Sequence, residues 1–153
     1  MDVPAVAESV GEGLNARGRA LAVVRVCVGL TYCVYGVLKL LHMQRFDIVV
    51  SGEITLVPGN ELFWYFFGYS RPYLWFVGLT QLAGGLMMAA PKTRRIGALM
   101  CLVLGGNITI MDFAWGIGWV SWWALFLTVC CTAVVAAEWR AYRRALAVLL
   151  ERS

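Results

Sequence analysis

A lysine, Lys39, stands three residues before the sole histidine, His42, where the first long apolar run closes in YGVLKLLHMQ, residues 35–44. Arg25, Gln81, Asn107 and Asp112 are likewise set inside stretches that otherwise read as hydrocarbon. An ammonium, an imidazole and a carboxylate in such surroundings could fix a charge, pass a proton or grip a polar headgroup. A charge deep in a bilayer costs at least a few kcal/mol, so these side chains should turn inward and seek partners. Counted at about 1.5 Å per residue from mid-helix, Lys39 and Asp112 both fall roughly 10–14 Å to one side of the midplane. Opposite charge and matching depth predict a Lys39–Asp112 pair, with His42 close enough to modulate it. Gln81 is expected near the midplane, Asn107 slightly outside it, and Arg25 roughly 7 Å to the other side. Arg25 meets no carboxylate at its own depth. Its candidate partners are Gln81, tyrosine hydroxyls, helix carbonyls or a bound anion, and Glu138 only if the side chain extends toward the surface.

Two readings of these groups stand side by side. In one they are bundle glue, since interhelical polar contacts are worth about 0.6–2 kcal/mol each. In the other, Lys39, His42, Asp112, Gln81, Asn107, Arg25 and Tyr35 line an outward-opening pocket for a polar or anionic headgroup. An ion or proton path is a third, thinner reading, because one histidine and one or two acids make a short relay. No catalytic residue is assigned.

The elements that must position these residues are helices. A helix needs about 20 mostly apolar residues to cross the hydrocarbon, and four stretches qualify: 19–41, 73–90, 96–115 and 119–138. The short links PKTRR and GIG force neighbours antiparallel, which predicts an all-α, up-down bundle of four transmembrane helices. On a helical wheel Arg25, Gly29, Tyr32, Gly36 and Lys39 share one face; Gly78, Gln81 and Gly85 share another, as do Gly105, Thr109 and Asp112. Residues 1–18 are expected to form a cytoplasmic tail, flexible or interfacial and without a cleaved signal, and 139–153 a basic cytoplasmic tail. Between the first two spans, GNELFWYFFGYSRPY is too short and broken to cross and suits a short amphipathic helix at the outer surface, with Asn60 as N-cap and Pro72 at its end. Trp115, Trp119, Trp122 and Trp123 add an aromatic girdle on that side, read as an interfacial belt or as a ring-stacking surface.

Composition agrees. Of 153 residues, 61% are hydrophobic and 14% charged, far from the near-half apolar and quarter charged of soluble domains. The net charge of +4 does not indicate nucleic-acid binding, because the basic residues cluster at the ends of apolar runs. Nine lie on one side and two, Arg45 and Arg71, on the other, which predicts that both termini face the cytoplasm. Cys27, Cys33, Cys101, Cys130 and Cys131 all lie in apolar runs without a CxxC. That spacing argues against a disulfide framework and against a zinc site. A soft-metal or quinone-linked thiol pair is the chemical alternative to their being small inert hydrophobes. A lone histidine makes haem ligation an unpromising reading.

The first span, RVCVGLTYCVYGVLKLL, and the second with its basic turn, GLTQLAGGLMMAAPKTRRIGALM, resemble the opening helices of the DoxX and DoxX-like membrane proteins. The resemblance covers about residues 20–138, and ELFWYFFGYS is similar to the aromatic outer segment of one subgroup. It implies four membrane helices and marks Arg25, Gly36, Lys39, Gln81 and Gly85. It also implies association with thiosulfate:quinone oxidoreduction or with membrane redox complexes, hence a quinone as cofactor or substrate. Partners would be the lipid bilayer and other redox subunits or further copies of the chain. Related four-helix proteins act as assembly factors, which keeps a non-enzymatic accessory subunit as the alternative and a transporter as the third. Gln81 departs from the pattern, which often has a glutamate there; a neutral amide can be neither proton acceptor nor counter-ion.

Overall fold

The computed structural model describes residues 3–41 and 59–151, with side chains over 16–41, 61–66 and 69–151. His42 lies outside the described residues. Those described form six helices and no strand: α1 Val3–Leu40, α2 Gly59–Tyr69, α3 Arg71–Ala89, α4 Arg94–Ala114, α5 Trp119–Ala137 and α6 Trp139–Glu151. Three segments are long and apolar enough to cross a membrane: Ala16–Leu40 of α1, α4 and α5. Helix α3 has comparable length, but Arg71, Thr80, Gln81 and three glycines dilute its apolar character.

Both segments expected as tails are helical over their described residues. The N-terminal segment continues α1 back to Val3, with Pro4 in the first turn, where proline is tolerated, and despite Gly11, Gly13 and Gly18. The C-terminal segment is a helix, α6, strongly amphipathic and with no buried residue. Asn60 falls inside α2 instead of capping it. Pro72 does not end the aromatic helix but opens the next: Ser70 is the N-cap of α3, its hydroxyl accepts from the Tyr73 N–H at 3.4 Å, and proline occupies the first turn.

Helices α1, α3, α4 and α5 pack in a ring, α1 along α3, α3 on α4, α4 on α5 and α5 back on α1. Glycines set the closest approach. A Cβ at Gly36 would stand 2.7 Å from the Gly78 carbonyl oxygen, and one at Gly85 would strike the Gly29 carbonyl oxygen. These two meetings, seven residues apart on each strand of the contact, fix α1 and α3 antiparallel. Gly97 against Met88 and Gly84 against Cys101 do the same for α3 and α4. The Phe113–Trp122 edge contact at 5.2 Å and the Arg94–Glu138 ion pair mark the two ends of an antiparallel α4–α5 pair.

The core holds Val28, Tyr32, Met88, Cys101, Leu127, Cys131 and Val134. All five cysteines are free, and Cys101 and Cys131 are completely buried in that core, where they act as small apolar fillers. The Tyr32 hydroxyl donates to the Cys101 carbonyl at 3.0 Å and ties α1 to α4. The outside is apolar: Leu30, Val34, Phe76, Leu79, Val103, Ile110, Phe126 and Val129 are all exposed. A surface of this kind suits contact with lipid tails.

Candidate functional site

At the end of the bundle beneath α2, the four helices enclose a cavity of about 310 Å³. Helix α2 covers it. Phe63 is buried with Leu74, its ring 5.2 Å from that of Trp64 and 6.3 Å from that of Trp115, so the aromatic face of α2 is docked. Tyr32 closes the cavity on the core side, and Trp64, Tyr73, Phe76 and Trp123 give it aromatic walls. Five of the expected site residues line it: Tyr35, Lys39, Gln81, Asn107 and Asp112.

Helix register explains that convergence. The Gly29–Gly85 and Gly36–Gly78 meetings place Lys39 level with residue 75 of α3, and the Gly97–Met88 meeting places Asp112 level with residue 73. Lys39 and Asp112 therefore share a depth, as their positions in the sequence indicate, and their charges lie near enough to interact. They do not close into a direct pair with each other; Glu138 pairs with Arg94 and Arg95. The Lys39 ammonium stands 5.7 Å from the centre of the Tyr35 ring. The Asp112 Oδ2 and Gln81 Oε1 atoms are buried with no hydrogen-bond partner. Buried polar atoms are nearly always partnered, so two acceptors facing one cavity and unmet among the described residues mark it as a place for a donor.

Arg25 does not belong to this cavity. The same register sets it level with Ala89, eight residues and so roughly 12 Å from the level of Gln81. Arg25 instead enters a second pocket at the opposite end, with Arg94, Arg95, Glu138, Arg140 and Arg144. There the Arg94 and Arg95 Nε–H groups donate to the two Glu138 carboxylate oxygens at 2.7 and 2.6 Å. Burial alone would push the Glu138 carboxyl up, but the hydrogen bonds and charges of Arg95 and Arg94 prevail and hold it below its ordinary value.

Of the four girdle tryptophans, only Trp123 lines the cavity; Trp119 and Trp122 point outward and Trp115 rests against Phe63. Sequence reasoning did not assign Phe63, Trp64 and Tyr73 to the site. The available signal was the phenylalanine, tryptophan and tyrosine spacing of α2, which reads as an interfacial belt unless one knows that α2 folds over the bundle mouth. It also left the arginine pocket at the opposite end unassembled, although it named Glu138 as a partner within reach of an extended Arg25.

Fold and site thus define a helical bundle, with three helices long and apolar enough to span a bilayer, around a cavity of mixed aromatic and polar lining. No protein-family model and no solved structure matches the chain. It is similar to the uncharacterized protein YwoB of Bacillus subtilis (strain 168), 25% identical over 109 residues, which covers 71% of each chain.

Proposed function

We propose that this is a DoxX-like, four-span membrane protein that binds the headgroup of a quinone in its reduced, quinol form, as a component of a membrane redox module. Helix α3 is the fourth span in this reading, supported by its antiparallel packing between α1 and α4. Arg17, Arg19, Lys92, Arg94, Arg95, Arg140, Arg143 and Arg144 gather at the ends remote from the cavity. By the positive-inside bias, that end and both termini face the cytoplasm of a bacterial inner membrane, and the cavity opens outward.

The carrying observation is the pair of unmet acceptors, Gln81 Oε1 and Asp112 Oδ2, in an aromatic-walled cavity. A quinol offers what they lack, two O–H donors on a flat ring, and Trp64 and Trp123 offer faces for that ring. Lys39 can donate to a ring oxygen. The volume is at the low end for small-molecule sites and suits one ring system, with a prenyl tail left to the lipid between helices. A small anion fits this cavity less well, since both unmet atoms are acceptors and one belongs to an acid.

The test is tryptophan fluorescence of the purified protein in lipid nanodiscs, titrated with a short-tailed benzoquinol. Saturable quenching in the wild type, weakened roughly tenfold or more by Gln81→Met or Asp112→Asn, supports the reading. Quenching that is equal in all three proteins sinks it. A second reading, a non-enzymatic accessory subunit, draws on the outward-facing Tyr69, Trp119 and Trp122 at the outer end, which leave an aromatic surface for a larger complex. Co-isolation of a stoichiometric membrane partner without bound quinol would favour it.

A further inference from the structure

The arginine pocket at the opposite end carries an inference independent of the quinol reading. Its volume is about 530 Å³, and it is lined by five arginines and a single glutamate. The glutamate is already engaged, since Arg94 and Arg95 occupy both of its oxygens. Arg25 is 8% exposed, and its Nε and Nη1 atoms are buried without a hydrogen-bond partner among the described residues. A guanidinium held out of water with two unmet donors is costly unless an anion completes it. Among the described residues no second carboxylate lines the pocket, so an anion from outside would meet those donors.

We propose that this pocket binds a phosphate group, and that its source is the phosphodiester of an anionic phospholipid. Guanidinium forks match phosphate oxygens two at a time, and Arg25, Arg140 and Arg144 converge on one space from α1 and α6. The pocket opens where the spans end and α6 begins. Helix α6 is amphipathic and tied to the bundle by its Tyr142 hydroxyl, which donates to the Arg95 carbonyl at 2.8 Å. Its Trp139, Leu146 and Leu149 are exposed, as in a helix that lies in the headgroup layer. Basic pockets between membrane helices at the cytoplasmic surface take anionic headgroups in this manner. Free inorganic phosphate offers the same oxygens, and the experiment separates the two sources.

The full chain, delipidated in mild detergent, is incubated with an equimolar mixture of phosphatidylglycerol and phosphatidylcholine, and retained lipid is read by native mass spectrometry. In parallel, its melting temperature is followed with inorganic phosphate. The expected result is one phosphatidylglycerol retained in preference to phosphatidylcholine. That preference falls roughly tenfold or more in Arg25→Met, falls partly in Arg140→Gln, and stays in Arg143→Gln, whose side chain is outside the pocket. Arg140 is exposed, so its variant reports even if Arg25→Met fails to fold. An equal fall in Arg140→Gln and Arg143→Gln means diffuse surface charge and overturns the proposal. Stabilisation by inorganic phosphate, lost in Arg25→Met, with no preference for phosphatidylglycerol, overturns the lipid as source.

Discussion

Replacing Gly36 by alanine should part α1 from α3 and disturb the aromatic-walled cavity, whereas the same replacement at Gly106 should not. At Gly36 the new Cβ stands 2.7 Å from the Gly78 carbonyl oxygen and 2.8 Å from the Leu82 nitrogen, while ordinary contact begins at 3.4 Å. Both neighbours are backbone atoms, so no side-chain rotation relieves the clash and the helices must separate by ~0.7 Å or tilt. Overpacking of this kind costs about 1–3 kcal/mol. Alanine also regains about 1 kcal/mol of helix propensity, which blurs the single measurement. Gly106→Ala supplies the control, since its Cβ meets nothing within 4 Å and it gains the same propensity. The propensity terms cancel, so Gly36→Ala should be less stable than Gly106→Ala by about 1–3 kcal/mol. Thermal melting of both variants in one detergent reads that gap, at roughly 2–4 °C per kcal/mol for a chain of this size. Lys39 lies one turn beyond Gly36, so quinol quenching should weaken in Gly36→Ala alone. Identical melting temperatures for the two variants would refute the backbone-contact argument.

Gly105 poses a related case with a different remedy. A Cβ there would strike the Tyr32 hydroxyl and stand 2.9 Å from the Thr128 Oγ1 atom. Gly105→Ala should therefore be destabilised, and Tyr32→Phe should recover part of the loss despite costing about 1 kcal/mol by itself through the hydrogen bond to Cys101; additive losses in a double-mutant cycle would be the contrary result. The Glu138 carboxyl is held below its ordinary value by Arg95 and Arg94. A carboxyl depressed in the folded state contributes stability above its unfolded value, about pH 4.3, and loses it as pH falls through the lower folded value. Melting temperature should thus decline in that acid window for the wild type and show a smaller decline in Glu138→Gln, as differential scanning fluorimetry from pH 7 to pH 3 would register.

The four bundle helices were legible because hydrophobic run length is a strong signal: expected and observed limits agree within two residues, apart from the N-terminal extension of α1, and three of the four are long and apolar enough to cross a membrane. The shared depth of Lys39 and Asp112 was also legible, since rise per residue is nearly constant along a helix. Two features were not. Whether equal depth becomes an ion pair depends on side-chain direction around the bundle, and here both side chains line the cavity without pairing directly. The split of Arg25 from Gln81 depends on the α1–α3 register, which two carbonyl-to-glycine contacts set. The glycines themselves were read as points of close approach, but a sequence does not say which glycine meets which. Helix α6 was read as a tail because its arginines dominate a plain charge count, although its apolar residues recur at helical spacing.

Among the described residues, unmet polar atoms divide along the bundle by type: acceptors, Gln81 Oε1 and Asp112 Oδ2, in the cavity beneath α2, and donors, Arg25 Nε and Nη1, toward α6. Bundle glue predicts the opposite, because groups retained to hold helices together would be paired. The sign of one substitution separates the ideas. If Gln81 were glue, Gln81→Met would remove an interhelical contact and cost about 0.6–2 kcal/mol. If its amide oxygen is unmet in the empty protein, a methionine of similar volume removes a buried desolvation penalty of about 1–3 kcal/mol, and the ligand-free protein should be unchanged or more stable. Gln81 is 3% exposed, so bulk solvent does not reach it freely. Melting of ligand-free Gln81→Met below the wild type would refute this account. A melting temperature at or above the wild type, with quinol quenching lost, would show a polar group kept at a cost to stability for the sake of its ligand.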